Sequence, residues 1–208
     1  MIYIGISMPN FFAFISYVFV VIFTPGPNNI MSLANGNKFG YKKIVKFLIG
    51  IAFGFFIILL LSVFFNLLLF NILPKIKIIM GIIGAIYMVY LAMIIINSKD
   101  GENKGGTAKL NSFYTGVILQ FVNFKGILFA ITVTSNFIIP YYKSGVYLIL
   151  FSFLLASITF ISISCWALFG EFFQVFLSNY RKSFNVAMSA LLLYSAILVS
   201  GVLELISK

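Results

Sequence analysis

The chain has 208 residues, of which 62% are hydrophobic and only 9% charged, with a mean hydropathy of +1.13. A water-facing surface needs about a quarter of residues charged, so a soluble globular domain is excluded, and so is a disordered chain. The net charge of +10 is carried by Lys and Arg lying between apolar runs, which points to a membrane surface rather than to nucleic acid.

In chain order, uncharged apolar runs occupy residues 11–36, 47–70, 78–96, 113–139, 144–170 and 184–203. A helix needs about 20 residues to cross the hydrocarbon core, so these are six predicted transmembrane helices. They are too long and too continuously apolar for the strands of a membrane barrel. The start of the chain has no basic segment and no small-residue cleavage pattern, which reads as a retained first helix. The predicted class is an all-α integral membrane protein with the lipid bilayer as its surroundings. The polar stretch 97–112, with Gly101, Gly105 and Gly106, reads as a linker between a first repeat (9–97) and a second (113–206). Three helices per half is an odd number, so the halves enter the membrane oppositely, as two inverted three-helix repeats.

Orientation follows the basic residues. Lys38, Lys42, Lys43, Lys46, Lys99, Lys104, Lys109, Arg181 and Lys182 fall in the first, third and fifth connections. Lys75, Lys77, Lys143 and Lys208 fall on the other side. The larger group belongs in the cytoplasm of a cell-membrane protein, with both termini outside.

Helices one and four are interrupted at matching places. Thr24-Pro25-Gly26-Pro27-Asn28-Asn29 follows only thirteen apolar residues, and the two prolines remove two backbone donors. In helix four, Gln120, Asn123 and Lys125 lie some eight to twelve residues into an apolar run. Polar groups at that depth cost several kcal/mol unless they face protein or a wet cavity. Paired breaks of this kind point to a transporter's binding site. The candidate substrate-binding residues are therefore Thr24, Pro25, Gly26, Pro27, Asn28, Asn29, Gln120, Asn123 and Lys125. Ser32 and Asn35 share a helix face with Asn28 and are candidate pore-lining residues. The bland alternatives are a proline kink, amide glue between helices and a lysine snorkelling to the interface.

Gly50 and Gly54 have the spacing of a close helix contact, whereas Gly36 and Gly40 straddle a basic segment and predict no packing. Tyr41, Tyr141, Tyr142, Trp166 and Tyr180 suit interfacial anchoring. Cys165 reads as a small buried hydrophobe. With no histidine, one cysteine and four acids (Asp100, Glu102, Glu171, Glu204), no metal site, cofactor or catalytic pair is implied. The chain is not predicted to be an enzyme.

The run Phe23-Thr-Pro-Gly-Pro-Asn-Asn-Ile30, followed by Gly36, Gly40 and Gly50–Gly54, resembles the lysine exporter (LysE/RhtB) family of amino-acid efflux proteins. Gln120-Phe-Val-Asn123-Phe-Lys125 is similar to that family's second motif, usually written Asn-Pro-Lys. Two departures, Phe55 in place of an acid and Phe124 in place of proline, look more like the subgroup exporting cysteine and O-acetylserine. The resemblance implies secondary active export of a small zwitterionic amino acid, with protons as the coupling ion. Export of another small solute or a metal cation, and a non-transporting assembly role, are the alternatives. A homo-oligomer is left open, since no residue argues for or against it.

Overall fold

A computed structural model describes residues 11–97, 111–173 and 180–200. Most of the predicted linker, and with it Lys99, Lys104, Lys109, Asp100 and Glu102, lies outside those residues, as do both chain ends with Glu204 and Lys208.

The described chain is helical and contains no strand. In order it forms α1 (Phe11–Phe23), α2 (Pro27–Phe39), α3 (Tyr41–Phe64), α4 (Asn66–Ile96), α5 (Phe113–Val122), α6 (Phe124–Val133), α7 (Gly145–Phe172) and α8 (Arg181–Ser200). A π turn over Thr134–Ile138 prolongs α6. Two helices, α3 and α7, are long and apolar enough to cross a membrane alone. With α1–α2 and α5–α6 each counted as one bent span, there are four. Each half of the chain thus runs in the same order: a broken helix, a long apolar helix, a further helix.

The two breaks differ in chemistry. Between α1 and α2 the axis turns by 48°. Gly26 is fully extended there, and Pro27 opens α2 at a position where a missing N–H costs nothing. Between α5 and α6 the turn is 69°. Here one residue, Asn123, ends α5 and caps α6, its Oδ1 accepting from the Gly126 N–H at 3.2 Å. An asparagine that offers the backbone a local partner can end one helix and start the next without proline.

Boundaries shift where the turns are tighter than the apolar runs suggest. Gly40 alone, at φ 80°, separates α2 from α3, so α3 begins at Tyr41, six residues before the predicted 47. Lys42, Lys43 and Lys46 sit on the first turns of α3 and are exposed there rather than in a loop. The Glu171 carboxylate at the end of α7 accepts the first N–H of α3 at 3.1 Å, opposite the positive end of that helix. Residues 66–70, expected to finish helix two, instead begin the 31-residue α4.

Packing falls into two apolar cores, one on each side of the breaks. One gathers Ile30, Met31, Phe47, Ile51, Leu91, Ile163 and Leu192, and the other gathers Phe14, Val18, Phe55, Leu59, Phe129 and Leu155. The division passes along α3 between Ile51 and Phe55, and along α7 between Ala156 and Ile163. At the basic end the helices touch backbone to backbone. A Cβ at Gly36 would lie 2.1 Å from the Ala167 carbonyl oxygen, and one at Gly116 would lie 2.2 Å from that of Phe47. Gly50 meets the Phe113 carbonyl as the sequence spacing predicts. Gly36, which sequence alone gave no packing role, is equally tight, because α2 continues past it to Phe39 and crosses α7 there.

Cys165 is exposed, not buried. The buried stripe of α7 runs through Ser162, Ile163, Ala167 and Gly170, which leaves residue 165 on the outer face. Trp166 is half-buried and packs against the first core. Cys165→Ser is accordingly expected to leave folding and transport unchanged, within about 0.5 kcal/mol by thermal unfolding.

Candidate functional site

A cavity of about 50 Å³ lies at the level where the two cores divide, in the angle between the breaks. Its polar wall consists of Thr24, Gly26, Asn28 and Asn29 from the first break, with Gln120, Asn123 and Lys125 from the second. The predicted site residues Pro25, Pro27, Ser32 and Asn35 do not line it. Ser32 is fully buried and donates to the Asn28 carbonyl of its own helix at 2.7 Å. Asn35 is buried one turn further, without a partner for its Nδ2 among the described residues.

The break frees carbonyls, and side chains from elsewhere take them up. Pro25 and Pro27 have no N–H, so the helical ladder stops here, and the carbonyls met by side chains are those of Ile22 and Thr24. Asn29 Nδ2 donates to both Ile22 O and Thr24 O, each at 3.0 Å. Ser162 of α7 donates to the same Ile22 carbonyl at 3.1 Å. Lys125 Nζ donates to Thr24 O at 3.0 Å, across 101 residues of chain. The second break therefore closes over the first.

Asn28 and Gln120 join the breaks directly, the Asn28 Nδ2 donating to Gln120 Oε1. That bond leaves Asn28 Oδ1 and Gln120 Nε2 buried with no hydrogen-bond partner among the described residues. Turning both amides over exchanges the roles and still leaves one donor and one acceptor unmet. A buried polar atom without a partner costs about 1–3 kcal/mol. Two such atoms together in one cavity wall make a place for a ligand that carries both an acceptor and a donor. The start of α2 adds backbone N–H groups and the positive end of a helix.

Sequence reading missed the apolar wall. Val21, Ile22, Phe55, Phe129 and Thr159, with Gly126, complete the cavity. The Phe55 and Phe129 rings are stacked with centroids 6.0 Å apart. From Phe129 the aromatic contacts run on through Tyr17 (5.5 Å) to Phe137 on the π turn (5.7 Å), away from the basic end. A threonine in the middle of the apolar α7 was the one available signal for Thr159. Its hydroxyl donates to the Leu155 carbonyl, as threonine does in any apolar helix, and so gives no warning of a cavity.

Comparison with known proteins gives the family of the chain. Residues 19–200 match the family model described as LysE type translocator. The cysteine/O-acetylserine efflux protein of Klebsiella pneumoniae subsp. pneumoniae is 35% identical over 185 residues, covering 89% of this chain and 94% of its own. The proteins of the same name from Escherichia coli K12 and Shigella flexneri are 36% identical over the same shares. No solved structure matches the chain. With the family model spanning most of its length and bent membrane helices meeting at a polar cavity, the chain belongs to the LysE-type translocators, membrane transporters rather than enzymes.

Proposed function

We propose that the protein exports a small zwitterionic amino acid, of the cysteine or O-acetylserine kind, by alternating access around the cavity between the breaks. The observation that carries this is the pair of unpartnered atoms, Asn28 Oδ1 and Gln120 Nε2, buried where two half-helices meet. The substrate carboxylate goes to the N–H groups opening α2, to Gln120 Nε2 and to Lys125. Its ammonium goes to Asn28 Oδ1 and to the Thr24 carbonyl, which the break has freed. Phe55, Phe129 and Thr159 receive a short side chain, and a cavity of about 50 Å³ favours a small one. The efflux proteins that resemble this chain bear the names of two such amino acids.

A zwitterion carries no net charge, so the membrane potential does no work on it, and uphill export requires a coupled ion. The proton gradient supplies it in this reading. The basic first, third and fifth connections lie in the cytoplasm and both termini outside, in the cell membrane. Repeats 9–97 and 113–206 then rock about the site, with 97–112 as their cytoplasmic linker.

The test is efflux from liposomes holding purified protein and loaded in turn with labelled cysteine, O-acetylserine, threonine, homoserine, leucine and lysine. The expected result is efflux of one or two small zwitterions, lost when the pH gradient is dissipated. Efflux unaffected by the gradient would remove the proton coupling. No efflux of any of them, from folded protein, would sink the amino-acid reading.

A further inference from the structure

Lys125 reaches out of the second break and into the first. Its ammonium sits on the Thr24 carbonyl at 3.0 Å. Its stem lies over Gly26, where a Cβ would stand 3.2 Å from both its Cδ and its Nζ. The Thr24 carbonyl lies just past the last residue of α1, beyond the helical donors. It is also the oxygen to which the amino-acid reading assigns the substrate ammonium. That oxygen is thus held by an ammonium of the chain's own, tethered on a four-carbon stem, beside the Asn29 amide.

We propose that Lys125 is the residue that restricts the site to zwitterions, because a ligand must displace its ammonium from Thr24 and at the same time give it a new partner. A zwitterion does both. Its ammonium replaces Nζ on the carbonyl, and its carboxylate then takes Nζ in a charge-assisted hydrogen bond. A simple amine displaces one ammonium with another and leaves two like charges a few ångströms apart with no anion between them. A simple carboxylate draws Lys125 away and supplies no ammonium in its place, so the Thr24 carbonyl keeps only the neutral Asn29 amide. This inference rests on the amino-acid reading of the same cavity.

The experiment compares cysteine with its two halves, cysteamine (no carboxylate) and 3-mercaptopropionate (no amine), by ligand-induced shift of the unfolding temperature of the purified protein in detergent. Wild type is expected to be stabilised by cysteine and by neither half, with cysteamine weaker by about tenfold or more. In Lys125→Met the preference disappears: cysteamine now stabilises the protein and cysteine does no better. Lys125→Arg, which keeps a cation, retains the preference for cysteine. If Lys125→Met does not fold, Lys125→Gln decides instead, since it removes the cation and keeps a donor for the Thr24 carbonyl. It is expected to gain cysteamine binding in the same direction. Wild type stabilised equally by cysteamine and cysteine overturns the proposal. So does a folded Lys125→Met that still prefers cysteine, or a Lys125→Gln with no gain. Wild type stabilised by none of the three and silent in the efflux panel fails at the level of the amino-acid reading itself.

Discussion

Asn28→Leu is expected to lower efflux by about a hundredfold while the protein still assembles in the membrane. Among the described residues, Asn28 is the one side chain that both bridges the breaks, through Gln120, and leaves an unmet acceptor in the cavity wall. Leucine fills similar space and removes both. The loss of a buried hydrogen bond leaves Gln120 without its partner and costs about 1–3 kcal/mol of stability. The double variant Asn28→Leu with Gln120→Leu separates two roles that the single change confounds. Replacing both partners by apolar groups is close to neutral for stability, so the unfolding temperature is expected to return toward wild type. Flux is expected to stay abolished, because the substrate has lost its donor and acceptor. A double variant that regains both stability and transport would reduce the pair to interhelical glue.

Gly116→Ala is expected to destabilise the protein at or above the roughly 3 kcal/mol upper end of overpacked cores. The added methyl carbon would lie 2.2 Å from the Phe47 carbonyl oxygen. That atom belongs to backbone in a buried helix and cannot rotate away, so α3 and α5 must part. Parting them exposes the Gly50–Phe113 contact of the same crossing. Gly36→Ala is expected to act alike on the crossing of α2 and α7, where the clash is with the Ala167 carbonyl oxygen at 2.1 Å. Gly145→Ala supplies the control, since a Cβ there meets nothing within 4 Å. Unfolding midpoints of the three variants in one detergent decide the matter. A Gly116→Ala as stable as Gly145→Ala would mean that the crossing is not held by backbone contact.

Membrane class, helical fold and the positions of both breaks were legible in the sequence, each from a local cause. Low charge and long apolar runs leave no alternative to the bilayer. Two prolines around a glycine end a helix wherever they occur, and amides beside a lysine deep in an apolar run need a polar surrounding. Helix boundaries were less legible, because a single glycine at positive φ turns the chain between α2 and α3 and hides the turn inside a polar segment.

What the sequence alone determined is therefore the kind of molecule and the two places where its helices are interrupted. Only the tertiary structure decided which residues meet there. Periodicity put Asn28, Ser32 and Asn35 on one face, yet Asn28 reaches the cavity while Ser32 bonds its own helix. Lys125 comes to Thr24 across 101 residues, and Asn28 to Gln120 across 92. Phe55, Phe129 and Thr159 join them with no polar signal of their own, and Cys165 turns outward although nothing in its neighbours marks it. A helical repeat fixes the angle of each side chain around its own axis, but the direction in which that axis is turned is set by its crossings. In this protein the crossings are fixed by glycines whose contacts lie in other helices, so the assembly of the site is a property of the packed bundle.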